Sequence, residues 1–395
     1  MSSRIRVAVD VRCLASEQLR GFARYTAELL NAMERSERLD LVLVSDRPMQ
    51  MPSGTPDMSV HAPDRDSEWK REQVGLRALV KRLGADLLFS PANRGLPLFG
   101  IPSVLTLHDA VEWDRSLVER PAGRSLARFV YANVASLLGA TRIITVSQHS
   151  ADYLEASLGL GGDRVVVVSE APGEAFVIPP DAVMRARVRR DLDLEFRYLL
   201  YVGGFDDKKS VDTLVLAWAR LDPSRTPRLV LGGSVGAEAE HLLDLVTSVG
   251  GDRERLRFLG YVDDELLPAL LAEAELFVFP ALAEGFGLPP VEAMAVGTTT
   301  IVADAGALPE ATRGAAPRFE PRDVSGLSAL ISRLVADPVE RERLAGMGRE
   351  AIIGRSWDAV ARETAEVFAD AATAGAIERI GNSARVVHQI PRWVR

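Results

Sequence analysis

The chain has 395 residues, of which 47% are hydrophobic and 26% are charged, and these proportions are typical of a soluble globular protein with two domains. The formal net charge of −8 and the pI of about 5.4 argue against a broad basic surface for nucleic acid. The single cysteine, Cys13, excludes an intrachain disulfide framework or a thiolate zinc site and indicates a reducing cytoplasm. No apolar stretch reaches the roughly 20 residues of a membrane-spanning helix.

Short apolar runs alternate with helical patterns in the first half of the chain. IRVAVDV, residues 5–11, predicts a strand, and the segment from Phe22 places Tyr25, Leu29 and Met33 on one helical face. The later runs LDLVLVSD, ADLLFSP, SVLTLHD, RIITVSQ and VVVVSEAP end in polar or turn residues, as buried parallel strands do. We therefore predict a Rossmann-like α/β domain over residues 1–180.

A second α/β series follows a charged, proline-rich segment, and we interpret residues 181–196 of that segment as the linker. The runs RYLLYVGG, RLVLGGS, LRFLGYV, ELFVFP and TTTIVAD predict a second Rossmann-like domain over residues 197–375. The predicted fold class is α/β, with two doubly wound domains facing each other across a cleft. The basic tail, residues 376–395, is poorly periodic, and packing against the first domain is one interpretation of it.

The stretch PALAEGFGLPPVEAMAVGTTTIVADAGALPE, residues 280–310, places Glu284 and Glu292 around a glycine-rich turn. A loop that leads from the carboxyl end of a parallel strand into a helix is a common anion site in α/β folds. Carboxylates there can accept hydrogen bonds from vicinal hydroxyls, while the amides of Gly287 and Leu288 face an anionic group. The pattern predicts a ligand with both features, such as a sugar nucleotide.

This stretch resembles the signature of the retaining family 4 glycosyltransferases of GT-B fold, the mannosyltransferase-like group 1 enzymes, in which seven residues separate two glutamates. Further segments resemble the family in the same order: GFARYTAELL, LTLHDAVEWD, ITVSQHSADYL, YVGGFDDKKSVDTLVLAW and GRSWDAVARE. The resemblance covers nearly the whole chain and leaves about twenty C-terminal residues unexplained.

The resemblance implies roles for individual residues. Glu292 corresponds to the glutamate that binds the nucleotide ribose, Glu284 to the glutamate beside the donor sugar, and His108 to a histidine near the reacting carbon. The implied diphosphate and sugar contacts are Gly21, Lys208, Lys209 and the amides of Phe286, Gly287 and Leu288, and the implied base contacts are Tyr261 and Val262. Lys209, Glu284 and His108 are the implied catalytic residues.

Several positions depart from the family pattern, among them Arg313 and Gly314, which stand where relatives often have glycine then aspartate. Gly204 stands where many relatives have arginine, Ala23 replaces a glycine, and Thr299 replaces a proline. The departure at Gly204 would make the diphosphate depend more on the lysines. The resemblance implies a retaining transfer of a mannose-like hexose from GDP-mannose or another nucleotide diphosphate sugar, by front-face attack and without metal or cofactor.

Simpler interpretations remain for several of these residues. A glutamate in the first turn of a helix is commonly a surface residue, and the lysine pair could be a solvated loop. D-x-D patterns at residues 64–66 and 191–193 resemble metal sites of another fold but are common on surfaces. A GT-B epimerase or phosphorylase is the alternative enzyme, and a sugar-nucleotide sensor is the alternative without catalysis. A dinucleotide-dependent oxidoreductase would need G-x-G-x-x-G after the first strand, and VDVRCLASEQLRGFARY lacks it.

The segment WKREQVGLRALVKRLG, residues 69–84, sets Trp69, Leu76, Leu79 and Leu83 near one helical stripe with basic residues beside it. One interpretation is a helix packed in the core with a solvated basic face. The other is a weak peripheral contact with the inner face of an anionic membrane, which would suit a lipid-linked acceptor. The acceptor is otherwise expected to be a glycan or a small-molecule glycoside, as in polysaccharide biosynthesis.

Overall fold

The structure, a computed structural model, describes residues 4–15, 21–46, 49–51, 55–62, 75–93, 101–108, 137, 139–236 and 238–374. Contacts between Cα atoms divide the chain into two compact units. The first unit combines the residues up to Glu170 with those from Trp357 onward, and the second unit is Ala171–Ser356. Each unit is built on one sheet of parallel strands.

The first sheet is centred on β1. Its described strands are β1 (Ile5–Asp10), β2 (Leu39–Val44), β3 (Val60–His61), β4 (Leu87–Ser90), β5 (Ser103–Leu107), β6 (Arg142–Thr145) and β7 (Val165–Val167). They are ordered β3-β2-β1-β4-β5-β6-β7, and every recorded pairing is parallel. The strand order therefore reverses between β1 and β4, which makes a topological switch point at the carboxyl ends of these strands.

Among the described residues, the helices that accompany this sheet before the chain enters the second unit include α1 (Phe22–Glu34), α2 (Leu76–Arg82) and α3 (Gln148–Leu158). Tyr25, Leu29 and Met33 are at most 1% exposed, which confirms the predicted buried face of α1. Val7 and Val9 of β1 have no exposed surface. Continuous apolar runs of this kind are expected where helices cover both faces of a parallel sheet.

The second sheet has the described strands β8 (Tyr198–Val202), β9 (Arg228–Gly232), β10 (Leu256–Gly260), β11 (Leu276–Phe279), β12 (Thr300–Ala303) and β13 (Arg318–Phe319). They are ordered β10-β9-β8-β11-β12-β13, again with parallel pairings. The helices of this unit are α4 (Glu174–Val177), α5 (Ala182–Asp191), α6 (Val211–Ala219), α7 (Glu238–Ser248), α8 (Leu267–Glu273), α9 (Leu288–Ala295), α10 (Leu308–Ala311), α11 (Val324–Ala336) and α12 (Pro338–Ile353).

The segment interpreted as a linker, residues 181–196, lies inside the second unit and contains α5. Asp181 caps this helix, because its side chain accepts a hydrogen bond of 2.8 Å from the backbone N–H of Met184. Arg185 lies 3.2 Å from Glu273 of α8, and Arg189 forms a second ion pair with the same carboxylate. Two arginines of this charged segment thus hold α5 to its own unit.

The last described helix, α13 (Trp357–Thr373), belongs to the first unit, although the sequence placed residues up to 375 in the second domain. The ring of Trp357 lies 5.5 Å from that of Tyr25 in α1, and the ring of Phe368 lies 4.9 Å from that of Phe89 in β4. An amphipathic pattern specifies that a helix buries one face but not which sheet covers that face. This explains why the sequence placed the helix in the second domain and the structure places it in the first unit. The tail, residues 376–395, lies outside the described residues.

The basic segment considered for membrane contact is described from residue 75 onward, and residues 69–74 lie outside the described residues. In α2, Leu76, Leu79 and Val80 are at most 2% exposed and pack with Ala8 and Leu88. For this part of the segment, the core-packed interpretation holds, since its apolar stripe is already covered. None of the described helices is long and apolar enough to cross a bilayer.

The packing of α13 predicts a local effect of shortening Phe368, whose side chain has no exposed surface. Phe368→Ala should lower the free energy of unfolding by about 3–5 kcal/mol, because it removes transfer energy and leaves a cavity. Hydrogen exchange followed by mass spectrometry should then show faster exchange in β1, β4 and α13. Ile353→Ala, at a side chain that is 40% exposed, is the control. Faster exchange confined to the second unit would contradict the assignment of α13.

Candidate active site

In the second unit, the expected ligand-binding residues follow the carboxyl ends of three parallel strands. Lys208 and Lys209 follow β8, Tyr261 and Val262 follow β10, and Glu284 follows β11. Parallel strands end at the same edge of a sheet, so these three loops share one edge. β10 and β11 are three positions apart in the strand order, which corresponds to about 14 Å between their ends. This edge can therefore contact an elongated ligand at several points.

Glycine allows two of these loops to approach closely. The Gly233 N–H donates to the Gly260 carbonyl at 2.7 Å, and the Gly203 N–H donates to the Gly232 carbonyl at 3.0 Å. Gly233 has a φ of 129°, and a Cβ at this position would lie 2.1 Å from the Gly203 carbonyl oxygen. Only glycine fits there, which explains the paired glycines in YVGG and LGG at the ends of β8 and β9.

Lys209 and Glu284 form an ion pair, although 75 residues separate them in sequence. Each side chain is only 16% exposed. The Lys209 ammonium lies 5.7 Å from the centre of the Phe279 ring at the end of β11, and the Leu282 N–H donates to the Lys208 carbonyl at 2.7 Å. The structure therefore joins the loop after β8 to the loop after β11 and brings together a predicted cation and a predicted carboxylate.

Gly306 fixes the backbone of Glu284 from the neighbouring loop after β12. It has a φ of 55°, and a Cβ there would lie 2.9 Å from the Glu284 backbone nitrogen. The next residue, Ala307, donates its N–H to the Glu284 carbonyl at 3.2 Å. The glycine in ADAGALPE thus lets two loops pack backbone to backbone, and the Glu284 side chain starts from a defined position.

The amino end of α9 presents backbone donors at the same edge. Gly287 precedes the helix with a φ of 106°, and a Cβ there would lie 2.7 Å from Leu308 Cδ2. Within the described part of the chain, no hydrogen bond engages the amides of Phe286, Gly287 or Leu288. Unpaired amides and the helix dipole together favour an anionic ligand oxygen.

Glu292, in the second turn of α9, is 2% exposed. The interpretation of this glutamate as a solvated surface residue is therefore wrong. Carboxylates are almost never this buried unless polar groups meet them, because removing the charge from water costs several kcal/mol. Tyr261, at the end of the edge strand β10, is 36% exposed, while Val262 is 7% exposed.

Tyr201 supports the loop that carries Gly204. Its hydroxyl donates to the Gly204 carbonyl. Burial raises the pKa of Tyr201 well above the ordinary tyrosine value, and the nearby carboxylates of Glu284 and Asp206 raise the pKa further. Tyr201 therefore stays a neutral phenol at physiological pH, which suits a structural donor and excludes a phenolate nucleophile.

In the first unit, the structure places Phe22, which follows Gly21, near His108 at the end of β5. Gly21 begins α1 with a φ of 50°, and a Cβ there would meet no atom within 4 Å. The Phe22 ring centre lies 5.9 Å from that of His108, and the Tyr25 ring meets the same imidazole edge-on at 4.4 Å. Two residues expected at one site thus lie at the same end of the first sheet.

Hydrogen bonds hold His108 on several sides. Its Nδ1 lies 3.0 Å from Glu170 Oε1, its Nε2 lies 2.7 Å from the Pro91 carbonyl oxygen, and its backbone N–H donates to Asn93 Oδ1 at 2.8 Å. His108 is 9% exposed and Glu170 is 5% exposed. Sequence reasoning missed Glu170 and Asn93, although the polar ending of VVVVSEAP after β7 was a signal for Glu170.

Among the described residues, no group of three or more histidine, cysteine, aspartate or glutamate side chains is arranged to hold a metal ion. Residues 64–66 of the first D-x-D pattern lie outside the described residues. In the second pattern, Asp191 forms ion pairs with Arg187 at 3.2 Å and with Arg190 at 3.0 Å.

Comparison with known proteins agrees with this architecture. Residues 19–171 match the family described as Glycosyltransferase Family 4, and residues 185–351 match the family described as Glycosyl transferases group 1. A serotype-specific mannosyltransferase of Escherichia coli, WbdA, is 31% identical over 249 residues, which are 61% of this chain and 30% of that protein. The MMP alpha-(1->4)-mannosyltransferase of Mycolicibacterium hassiacum is 32% identical over 277 residues, 68% of this chain and 65% of that protein. This chain thus spans about a third of WbdA and about two thirds of the second relative.

Among solved structures, sucrose-phosphate synthase from Thermosynechococcus elongatus matches with a TM-score of 0.73 at 22% identity, covering 93% of this chain and 99% of that one. The chain belongs to the group 1, family 4 glycosyltransferases. Its fold is the GT-B fold, with two α/β units that each contain one parallel sheet, as predicted.

The close approach at Gly306 predicts that an added methyl group disturbs Glu284. Gly306→Ala should destabilise the protein by about 1–3 kcal/mol, because it combines an unfavourable φ with a backbone clash. Gly346→Ala is the matched control, since its Cβ in α12 would meet nothing within 4 Å and alanine favours a helix. Thermal unfolding of both variants measures the difference. Equal unfolding temperatures for the two variants would contradict the close approach.

Proposed function

We propose that the protein is a retaining glycosyltransferase that moves a hexose, with mannose favoured, from a nucleotide diphosphate sugar to a glycan, lipid-linked or small-molecule glycoside acceptor. The observation that carries the proposal is the arrangement at the carboxyl edge of the second sheet. There, the Lys209–Glu284 ion pair and the unengaged amides of residues 286–288 lie on adjoining loops. This edge offers donors to a diphosphate and acceptors to sugar hydroxyls.

The proposed donor contacts follow from the chemistry of each group. Lys209 and the amides of Phe286, Gly287 and Leu288 neutralise the diphosphate, with Lys208 on the same loop. Glu284 accepts a hydrogen bond from the hexose, and Glu292 accepts from the ribose hydroxyls. Tyr261 and Val262, at the end of β10, flank the base. Gly21 at the start of α1 leaves room for close backbone approach.

The transfer requires charge to be stabilised at two places. Breaking the anomeric bond leaves oxocarbenium character on the sugar and negative charge on the departing diphosphate. Lys209 and the amino end of α9 act on that negative charge with groups that are already oriented, which is the most effective form of electrostatic catalysis. The acceptor oxygen bonds to the anomeric carbon on the face from which the diphosphate leaves and gives its proton to the departing diphosphate, so the anomeric configuration is retained.

Two relatives named as mannosyltransferases support mannose as the transferred sugar. The direct test incubates the purified protein with GDP-, UDP-, dTDP- and ADP-hexoses and follows thermal unfolding. A donor present at 100 times its dissociation constant should stabilise the protein by about 2.7 kcal/mol. NMR of the product made from the stabilising donor should show the donor's anomeric configuration. An inverted product would overturn retention, and no stabilisation by any of these donors would overturn the donor assignment.

Lys209 should matter most in the transition state. Lys209→Ala should lower kcat on the order of 10²–10³-fold, as removal of one preorganised donor does. Steady-state kinetics with the preferred donor measures the change, and Lys81→Ala, at an exposed lysine of α2, is the control. A loss confined to KM would place Lys209 in ground-state binding.

A double variant separates two roles of Lys209, because its removal also leaves Glu284 without its cation. If Lys209 only neutralises Glu284, adding Glu284→Gln to Lys209→Ala should restore much of the lost kcat. If Lys209 acts on the diphosphate, the double variant should be no faster than Lys209→Ala alone. We expect the second result, and the coupling energy of this cycle gives the pairwise contribution.

The proposed mechanism uses lysine and backbone amides instead of a metal ion. Activity should therefore survive dialysis against EDTA, within about a factor of two of the untreated protein. The measurement compares initial rates before and after chelation, with added Mg²⁺ and Mn²⁺ as controls. Complete loss on chelation that either ion restores would refute the metal-free mechanism.

A further inference from the structure

The imidazole of His108 makes hydrogen bonds through both ring nitrogens within the first unit. Nε2 lies 2.7 Å from the Pro91 carbonyl oxygen, and Nδ1 lies 3.0 Å from Glu170 Oε1. The resemblance that singled out His108 says nothing about Glu170. The two side chains are 62 residues apart in sequence and meet at the carboxyl ends of β5 and β7.

The partners determine where the protons are. A carbonyl oxygen can only accept a hydrogen bond, so Nε2 must carry a proton. An ionised carboxylate can also only accept, so Nδ1 carries the second proton. A carboxylic acid is the stronger acid of this pair by about two pH units in water. A neutral imidazole that accepts from a carboxylic acid would satisfy the same three groups, and this difference in acidity favours the imidazolium–carboxylate form over it.

The surroundings support this form. Tyr25 and Phe22 of α1 face the ring with uncharged aromatic side chains, and the Tyr25 hydroxyl contacts Thr106 Oγ1 at 3.4 Å. Asn93, which binds the His108 backbone, is neutral. Among the described residues, Glu170 is the one charged group in recorded contact with the ring. Both partners are buried, so solvent screens their attraction little.

We infer that Glu170 is a positioning residue that holds His108 as an imidazolium with a fixed ring orientation. His108 then cannot serve as a general base, because neither nitrogen has a free lone pair. It supplies a positive charge at the end of the first sheet, with its Nε2–H donated to the Pro91 carbonyl oxygen. The role of this charge in sugar transfer rests on the proposed function, whereas the protonation state does not.

The direct test uses NMR of the full-length protein labelled with ¹⁵N-histidine, which contains only five histidines. His108→Gln identifies the His108 signals by their loss. At pH 7.5, the two ring nitrogens of His108 should resonate close together, as in an imidazolium. In Glu170→Gln, the amide can donate to Nδ1, so the ring should become neutral with its proton on Nε2 and two widely separated shifts. A neutral His108 in the unmodified protein, or an unchanged pattern in Glu170→Gln, would overturn the inference.

Kinetics test the positioning role separately. Glu170→Gln should lower kcat at pH 7.5 by about tenfold or more, with recovery toward lower pH, where the ring regains its proton. Glu155→Gln, at an exposed glutamate of α3, should leave kcat within about twofold and add no such pH dependence. Glu170→Asp keeps the charge, so it should keep the imidazolium pattern even if its rate falls.

The two measurements distinguish failure of this inference from failure of the proposed function. An imidazolium signal that Glu170→Gln abolishes, in a protein without sugar transfer, would keep the charge assignment and reject the transferase. The same NMR result with an unchanged kcat and pH profile would reject the positioning role. If Glu170→Gln does not fold, an NMR titration of the unmodified protein between pH 6 and 9 decides instead. Loss of the second ring proton of His108 within the range of an ordinary histidine would then reject the ion pair.

Discussion

Every recorded strand pairing in both units is parallel, and this constraint determines where chemistry can occur. Each connection between parallel strands must return the chain to the edge of the sheet where strands begin. All loops that leave the carboxyl ends of the strands therefore lie together at the other edge. Lys209 and Glu284 meet there in the second unit, and His108 and Glu170 meet there in the first. Each pair joins residues distant in sequence because the sheet brings their strand ends to one edge, where β8 and β11 are neighbours and β5 and β7 are separated by β6.

The two glutamates of the AEGFGLPPVE segment have different environments, although the sequence presents them as a matched pair. Glu284 lies in a loop, is ion-paired with Lys209 and is partly exposed, so a ligand can compete for it. Glu292 lies within α9 and is nearly completely buried, so its orientation is set by packing before any ligand arrives. A carboxylate that packing already holds in place suits recognition of a ligand group whose charge stays the same throughout the reaction. An ion pair that a ligand can displace suits a ligand group whose charge changes during the reaction.

The sequence was most informative where the signal is local. Apolar runs that end in glycine or polar residues located the strands, and the resemblance located Glu284, Lys209 and His108. The ion pair between Lys209 and Glu284 and the contact between His108 and Glu170 depend on strand order, which no local pattern specifies. The assignment of residues 357–373 to the wrong domain has the same origin, since the apolar face of α13 would suit either sheet. The charged segment interpreted as a linker contains α5, and two of its arginines pair with Glu273, which only the packing of α8 reveals.

The return of α13 to the first unit makes the second unit an insertion within the first, with consequences during synthesis. The ribosome adds about 5–20 residues per second, so residues 171–356 take on the order of ten to forty seconds to make. During that interval the first unit lacks the helix that covers Tyr25 and Phe89. The N-terminal unit therefore completes its core last, and its uncovered apolar surface is the part of the nascent chain most exposed to aggregation or to chaperones.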